Sequence, residues 1–147
     1  MALHFSNREF EKRKLATLKS MKEQNLDALL MFRQESMFWL TGYDTFGYVF
    51  FQTLILDQKG NIILLTRAPD LRQAQNTSNI EDIRIWVDKD QSNPTDDLKI
   101  ILNELNLKGK KIGIEYEAYG MTGRNALRLN KSLEGYCEVE DQSELIT

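Results

Sequence analysis

The chain has 147 residues, 41% of them hydrophobic, which is enough for one folded domain and short for two. A domain of this size buries roughly 68–70% of its unfolded surface, so folding requires neither a metal nor a disulfide. The net charge of −3 at pH 7 argues against a nucleic-acid-binding protein, because such proteins carry a surplus or a stripe of Lys and Arg.

The N-terminal segment lacks the apolar run of a signal peptide, and no segment reaches the roughly 18 apolar residues of a membrane-spanning helix. The one cysteine, Cys137, cannot form an internal disulfide and therefore suits a reducing compartment. We expect a cytoplasmic protein that binds neither membranes nor nucleic acid.

The first third of the chain predicts a helix, a strand and a second helix. Ser6 and Glu9 have the S-x-x-E spacing of a capping box, which predicts a helix to about Asn25. The expected buried stripe of this helix consists of Phe10, Leu15, Leu18 and Met21. The segment "DALLMF" predicts a buried strand over residues 28–32. The segment "ESMFWLT" predicts a helix that ends at Gly42, since glycine adopts a positive φ at little cost.

A hairpin is predicted next. Two β-rich runs, "YVFFQTLIL" at 48–56 and "NIILLT" at 61–66, are joined by the turn "DQKG", which indicates an antiparallel pair. Pro69 and Asp70 indicate the start of another helix, and "IRIWV" has the alternation of a strand.

The last third alternates helices with strands. Asn93 and Pro94 predict a helix start, because proline is tolerated in the first turn. The clearest helical stripe of the chain follows, at Leu98, Ile101, Leu102 and Leu105. The segments "KKIGIE" and "YCEVE" predict strands, and Thr122 between them predicts the cap of a helix to about Leu133.

Single strands that alternate with helices indicate a parallel sheet covered on both faces, and the hairpin makes this sheet mixed. We expect an α/β fold of three layers with roughly six strands, in one domain that spans residues 1–147. The last residues, "DQSELIT", contain a new capping signal at Ser143. A domain cut from a longer protein ends in this way, although a natural tail fits the sequence equally well.

Residues for catalysis or metal binding are scarce. With His4 and Cys137 as the only histidine and cysteine, the chain offers no N/S zinc site and no base for a Ser-His-Asp or Cys-His arrangement. We interpret His4 as a bystander and Cys137 as a small buried hydrophobe. The carboxylates considered for a strand-end site are Asp27, Asp44, Asp57, Asp70, Glu115 and Glu117. A two-metal nuclease would require several of them to converge, whereas Asp57 and Asp70 suit a turn and a helix cap.

The segment "YGMTGRN", residues 119–125, places two glycines where a strand passes into a helix. These glycines suit either a phosphate-binding nest or a loop that needs positive φ and is closed by the Thr122 cap. The spacing matches neither the Walker motif nor the dinucleotide-binding motif, which favours the loop.

An aromatic run is the most unusual feature of the sequence. The segment "FWLTGYDTFGY", residues 38–48, combines five aromatic residues with two glycines across a helix end and a loop. Loops stay at the surface so that their backbone remains hydrated, and aromatic rings held there mark interfaces or ligand walls. The run is therefore either a functional surface or a corner of the core.

The order of these motifs resembles the N-terminal domain of the creatinase, prolidase and aminopeptidase P family. The resemblance covers essentially the whole chain, and its most specific pieces, "FWLTGYDTFGY" and "IGIEYEAYGMT", are closest to the creatinase and ectoine hydrolase branch. It implies a ribonuclease H-like domain that precedes a pita-bread catalytic domain. That catalytic domain, expected downstream and absent from this chain, would hold two divalent metal ions (Mn, Co or Zn), so no catalytic residue or metal ligand is assigned here.

The resemblance also implies partners and site residues. In the family, the N-terminal domain supports dimerisation, and its aromatic loop reaches over the active site of the neighbouring subunit. The residues that this implies as contacts to the partner's substrate are Phe38, Trp39, Tyr43, Phe46, Tyr48 and Arg67.

Tyr48 departs from the family pattern. The segment Phe46-Gly47-Tyr48 corresponds to a Phe-Gly-Arg segment in creatinases, where the arginine meets the substrate carboxylate. A phenol cannot supply the cationic fork of arginine, which argues against creatine as a substrate. Arg67 is either a substitute anion contact or a member of a surface salt bridge.

The leading hypothesis is a non-catalytic N-terminal domain of a metal-dependent hydrolase that resembles Xaa-Pro dipeptidases and creatinase. It would pair with its own C-terminal catalytic domain, form a homodimer and wall the partner's active site with the aromatic loop. The alternative is a free-standing module that binds a small ligand or a peptide on the same aromatic patch.

Overall fold

A computed structural model describes residues 5–146 of the chain. The helices in this range are α1 (Asn7–Glu23), α2 (Gln34–Thr41), α3 (Leu71–Thr77), α4 (Pro94–Glu104) and α5 (Gly123–Leu133). The strands are β1 (Ala28–Met31), β2 (Thr53–Asp57), β3 (Ile62–Arg67), β4 (Asp82–Trp86), β5 (Lys111–Ile114) and β6 (Glu138–Asp141). Two short 3₁₀ helices cover Gly47–Val49 and Ala68–Asp70.

The six strands form one mixed sheet in the order β4-β3-β2-β1-β5-β6. Strand β2 pairs antiparallel with both β1 and β3, and every other pair is parallel. Five strands therefore run in the same direction. Their C-terminal ends meet at one edge of the sheet, called here the C-terminal edge, where β2 begins.

Helices cover both faces of the sheet, which confirms the predicted α/β fold of three layers. Strand β1 shows why its sequence is a continuous apolar run: Leu29 and Met31 face one core cluster, and Ala28 and Leu30 face the other. Helices α1, α2 and α3 contribute Met21, Met37, Leu40 and Ala74 to the first cluster. Helices α4 and α5 contribute Leu98, Ile101, Leu102, Leu129 and Leu133 to the second.

The helix caps confirm the local predictions. The side chains of Ser6, Asn93 and Thr122 each accept a hydrogen bond from a backbone N–H in the first turn of α1, α4 and α5. Helix α2 ends at Gly42 with φ of 86°. The predicted hairpin is present as β2 and β3, and the Asp57 carboxylate accepts hydrogen bonds from the backbone of its turn.

Two predicted elements differ from the structure. Strand β2 begins at Thr53, not at Tyr48, because Tyr48 lies in a 3₁₀ helix. Leu15 was expected on the buried face of α1 but is 59% exposed, whereas Thr17 is buried. At about 100° per residue, Leu15 lies about 140° around the helix from Phe10, and Thr17 lies on the same side as Phe10.

His4 lies outside the described residues. Cys137 is a free thiol that packs against the core cluster of α4 and α5. It is only partly buried, and its burial raises its pKa. None of the helices between residues 5 and 146 combines the length and the apolar character needed to cross a membrane.

Candidate functional site: the aromatic C-terminal edge

Two loops at the C-terminal edge carry the site. Residues 42–52 connect α2 to β2, and residues 115–122 connect β5 to α5. Because β5 is parallel to β1 and β2 is antiparallel to it, both loops lie at the same edge of the sheet. The first loop contains most of the aromatic run.

Asp70 fixes the first loop. Its carboxylate accepts a hydrogen bond of 2.8 Å from the Thr45 hydroxyl, which in turn accepts a bond of 3.0 Å from the Gly47 backbone N–H. A Cβ at Gly47 would lie 2.6 Å from the carboxylate oxygens of Asp70, so this approach requires a glycine. Asp70 stands at the N-cap position of α3, as predicted, but its side chain makes no capping hydrogen bond and binds the loop instead.

Gly120 brings the two loops together. A Cβ at this position would lie 2.4 Å from the Phe50 carbonyl oxygen and 3.2 Å from the Tyr48 carbonyl oxygen. The expectation that the glycines of "YGMTGRN" need positive φ is wrong, since neither Gly120 nor Gly123 has one. The physical reason for Gly120 is the close approach of another backbone segment.

Four aromatic residues are exposed on these loops, and we call them the aromatic edge. They are Phe46 (94% exposed), Tyr48 (41%), Phe50 (42%) and Tyr119 (77%). The rings of Tyr48 and Tyr119 form an edge-to-face pair with centroids 5.7 Å apart. The aromatic run in the sequence indicates Phe46 and Tyr48 but not the other two. The sequence pattern places Phe50 in a strand, and Tyr119 lies 71 positions after Tyr48, outside the aromatic run.

Tyr43 does not belong to the aromatic edge, and its predicted place on the exposed wall is wrong. It is fully buried, and its hydroxyl donates a hydrogen bond of 2.7 Å to the Gln52 side-chain oxygen. Its backbone carbonyl accepts a bond of 2.7 Å from the Gln34 side chain. Burial, which disfavours the phenolate, raises the pKa of Tyr43 to about 12. Tyr43 is a core residue because its phenol finds buried polar partners.

Phe38 and Trp39 are half-buried, and their contacts join α2 to α1 and to Phe5, which lies just before α1. The Phe38 ring lies 6.2 Å from the Phe5 ring, edge-to-face. The Arg13 guanidinium lies 5.3 Å from the Trp39 ring centroid and donates a hydrogen bond of 2.8 Å to the Trp39 carbonyl oxygen. These contacts give the aromatic pair a role in packing the two helices.

Arg67 is held within the site rather than extended from it. Its guanidinium lies 3.6 Å from the centroid of the Phe50 ring, and it forms ion pairs with Asp70 at 3.5 Å and Asp88 at 4.0 Å. The sequence allows two roles for Arg67, a contact to a substrate anion or membership of a salt bridge, and these contacts match the salt bridge. The Arg67 guanidinium also stacks on the face of the Phe50 ring, so it helps to position the aromatic edge.

Comparison with known proteins identifies the family that has this architecture. The profile of the family described as "Creatinase/Prolidase N-terminal domain" matches residues 13–147. The chain belongs to this family. The structure therefore shows the creatinase/prolidase N-terminal domain fold, as the sequence resemblance implied.

Three relatives illustrate the similarity. An uncharacterized hydrolase/peptidase, y4tM, of Sinorhizobium fredii (strain NBRC 101917 / NGR234) is 28% identical over 89% of this chain and 35% of its own length. A prolidase from Thermococcus sibiricus has a TM-score of 0.77 at 17% identity, over 96% of this chain and 36% of the prolidase chain. A solved chain of a Xaa-Pro aminopeptidase from Streptococcus pyogenes has a TM-score of 0.70 at 18% identity, over 92% of this chain and 95% of the other. The chain thus spans about a third of the curated relative's length.

Glu115 is a carboxylate with a structural role in this domain. It was considered for a nuclease site, but it is fully buried and accepts hydrogen bonds of 3.0 Å from the backbone N–H groups of Phe32 and Arg33. Its second oxygen accepts a bond of 2.6 Å from the Ser36 hydroxyl. Glu115 therefore ties the segment between β1 and α2, together with Ser36 in the first turn of α2, to the end of β5. Burial raises the pKa of this carboxyl, and the three hydrogen bonds oppose the shift.

The other carboxylates do not converge either. Asp27 accepts a hydrogen bond from the Lys111 backbone N–H, and Asp57 binds its own turn. Among residues 5–146, no three His, Cys, Asp or Glu side chains lie together as a metal-binding group. The described part of this domain therefore does not fit a two-metal centre of either the nuclease or the hydrolase type.

Proposed function

We propose that this chain is the non-catalytic N-terminal domain of a metal-dependent hydrolase that acts on Xaa-Pro peptides or related substrates. In a homodimer of that enzyme, the aromatic edge would form part of the wall of the partner subunit's active site. Family membership supports the domain assignment. The relatives that carry the words peptidase, prolidase and aminopeptidase in their names suggest the substrate class.

One observation carries the proposal: Phe46 is 94% exposed although the loop around it is held at three points. Asp70 holds Thr45 and Gly47, Gly120 contacts the Phe50 carbonyl, and Arg67 stacks on the Phe50 ring. A large apolar ring that a loop holds in water is unfavourably hydrated. Covering the ring with another surface lowers the free energy. The aromatic edge is thus preorganised for contact with a second surface.

The wall proposed here has fewer residues than the one expected from the sequence. It consists of Phe46 and Tyr48 from that expectation, together with Phe50 and Tyr119. Phe38 and Trp39 are assigned to the packing of α1 against α2, and Arg67 supports Phe50. Tyr48 replaces the arginine of creatinases with a neutral phenol, which favours substrates that bind this wall through apolar groups rather than through a carboxylate.

The catalytic groups and the two divalent ions are proposed to belong to a domain after Thr147. The scarcity of histidine in this chain and the structural roles of Glu115, Asp57 and Asp27 are consistent with this division. The lone, partly buried thiol of Cys137 suits a reducing compartment, so we place the enzyme in the cytoplasm.

The test uses the polypeptide that the gene encodes, including the segment after Thr147, assayed with a Xaa-Pro dipeptide and Mn²⁺. We expect Phe46→Ala to lower kcat/KM by about tenfold, equivalent to roughly 1.4 kcal/mol of transition-state stabilisation. The matched control is Leu127→Ala, which truncates a ring-free apolar side chain that is 73% exposed on α5. This control should leave kcat/KM unchanged.

Two results would contradict the proposal. The first is chelator-sensitive hydrolysis of the dipeptide by residues 1–147 alone, which would place the catalytic groups in this domain. The second is a gene that encodes no metal-binding domain after Thr147. That result would favour the alternative, a free-standing binding module that uses the same aromatic edge.

A further inference from the structure

Side chains close the base of the first loop. Tyr43 and Gln52 lie at its two ends, nine positions apart, and the Tyr43 hydroxyl donates a hydrogen bond of 2.7 Å to the Gln52 side-chain oxygen. Phe46, Tyr48 and Phe50 of the aromatic edge lie between these ends. In compact loops whose ends lie close together, contacts at the base help to hold the shape of the whole loop. The base of this loop therefore controls how the aromatic rings are presented.

Gln34, the first residue of α2, contacts both ends of the loop. Its side-chain nitrogen donates a hydrogen bond of 2.7 Å to the Tyr43 carbonyl oxygen. Its side-chain oxygen accepts a longer bond, of 3.5 Å, from the Gln52 side-chain nitrogen. One amide thus acts both as a donor and as an acceptor, and it joins the two ends of the loop to α2.

The chain on either side of Gln34 is fixed by Glu115, which is fully buried and directly follows β5. Just before Gln34, the backbone N–H groups of Phe32 and Arg33 each donate a hydrogen bond of 3.0 Å to the Glu115 carboxylate. Just after Gln34, the Ser36 hydroxyl donates a bond of 2.6 Å to the second carboxylate oxygen. The sheet therefore sets the position of Gln34 through these three bonds.

Helix α2 itself does not use the Gln34 amide, because both of the side-chain hydrogen bonds lead away from the helix. Asp70 and Gly120 hold the loop between its ends, whereas Gln34 holds its base. We propose that Gln34 is a positioning residue of the aromatic edge, which joins the segment fixed by Glu115 to the loop that carries Phe46. Its effect on the order of the loop is a property of this chain, whereas its effect on hydrolysis rests on the proposed function.

The test is backbone amide hydrogen exchange in the chain with Gln34→Glu. This change keeps the shape of the side chain but replaces the donor nitrogen with an oxygen, which repels the Tyr43 carbonyl oxygen. A negative charge in the first turn of α2 is favourable for the helix, so the variant should stay folded. The Gly47 and Phe50 amides donate hydrogen bonds within the loop. We expect both amides to exchange about fivefold faster or more, because the loop opens locally.

Three comparisons separate positioning from a general loss of stability. In Gln34→Glu, the Phe32 and Arg33 amides should exchange at the wild-type rate, because their bonds to Glu115 remain. In Glu115→Gln, these amides and the loop amides should all exchange faster, since the hold on Gln34 is itself weakened. The matched control Gln75→Glu makes the same chemical change on an exposed side chain of α3 that forms no hydrogen bond with another described residue. This control should leave the loop unchanged.

The proposal would be overturned by unchanged loop exchange in Gln34→Glu or in Glu115→Gln. Equal acceleration of the loop amides in Gln75→Glu would also overturn it. So would acceleration of the Phe32 and Arg33 amides in Gln34→Glu to the same extent as the loop amides, because that result would show a general loss of stability.

A kinetic measurement tests the consequence for the enzyme, in the polypeptide that includes the segment after Thr147. Gln34→Glu should raise KM for a Xaa-Pro dipeptide about threefold and change kcat less than about twofold, because a displaced wall weakens substrate binding without altering the reacting groups. Gln75→Glu should leave both constants unchanged. Faster loop exchange with an unchanged KM would contradict the positioning role. If the wild-type polypeptide hydrolyses no Xaa-Pro peptide, the proposed function fails instead, and the exchange rates still decide whether Gln34 orders the loop.

Discussion

The phenol of Tyr43 lies within hydrogen-bonding distance of two other buried side chains, those of Gln52 and Thr66. It donates to Gln52, and the Thr66 hydroxyl donates to the same Gln52 oxygen at 3.1 Å. This group links the first aromatic loop to the ends of β2 and β3. Tyr43 therefore acts on the aromatic edge from within, by fixing the loop that carries it.

Tyr43→Phe removes the buried hydroxyl and should lower the free energy of unfolding by about 1 kcal/mol. Tyr48→Phe is the matched control, because the Tyr48 side chain is partly exposed to water, and it should change stability by less than about 0.5 kcal/mol. Urea unfolding of both variants measures the difference. A larger loss in Tyr48→Phe would contradict the buried network.

The pH dependence of this pair gives a second readout of the same prediction. The pKa of Tyr43 is about 12 in the folded chain and about 10 in the unfolded chain. Its contribution to stability is fully present below pH 10 and is lost as the pH rises towards 12, because the unfolded chain releases the proton first. Relative to Tyr43→Phe, the wild type should lose about 2 kcal/mol between pH 10 and pH 12. A constant difference between pH 10 and 12 would contradict the assignment.

Glu115 is the second residue whose role depends on distant partners. Glu115→Ala leaves one buried and one partly buried backbone donor, and the Ser36 hydroxyl, without an acceptor, so it should lower the free energy of unfolding by about 3 kcal/mol. Glu115→Gln keeps an acceptor and should cost less. The exposed neighbour Glu117 supplies the control, and Glu117→Ala should cost less than about 0.5 kcal/mol in the same urea experiment. Equal losses at the two positions would show that Glu115 does not hold the start of α2 in place.

At the scale of elements, the contact between the 3₁₀ helix Gly47–Val49 and the loop before α5 builds the aromatic edge. Gly120→Ala would place a methyl group 2.4 Å from the Phe50 carbonyl oxygen and force the two segments apart. We expect a loss of about 1–3 kcal/mol in thermal unfolding. Gly123→Ala is the matched control in the same segment, because a Cβ there meets no atom within 4 Å. It should be neutral or slightly stabilising, and a comparable loss at Gly123 would contradict the close-approach argument.

The elements that could be predicted from the sequence are those whose signals are local. Ser6, Asn93 and Thr122 each cap a helix through a backbone N–H two or three residues away, so the pattern alone identifies them. The turn "DQKG" and the mixed sheet followed from similar short-range patterns. These signals were sufficient for the fold class and the number of strands.

The elements that could not be predicted depend on contacts between distant segments. The start of β2 is displaced to Thr53 because Gly120 and Asp70, far along the chain, hold residues 45–50 in another conformation. Glu115 receives hydrogen bonds from residues up to 83 positions away. The candidate site shows the same division: Phe46 and Tyr48 were identified from the aromatic run, whereas the inclusion of Tyr119 and the burial of Tyr43 required the fold.

At the scale of the whole molecule, the C-terminal edge of the sheet carries the aromatic edge of this creatinase/prolidase N-terminal domain. The aromatic edge presents Phe46 to the solvent-facing side of the molecule. Its position depends on five strands that end on the same side of the sheet. The opposite edge contains the turn of the β2–β3 hairpin.

The central claim is that the aromatic edge acts on the active site of the partner subunit. Mixed dimers of the full-length protein test it most directly. One subunit carries Phe46→Ala with an intact catalytic domain, and the other carries an intact aromatic edge with a substituted metal ligand in its catalytic domain. If the edge acts on the partner, the dimer contains one complete active site, and Xaa-Pro hydrolysis should recover to about half of the wild-type rate per dimer. Activity at or below the level of the Phe46→Ala homodimer would contradict the claim.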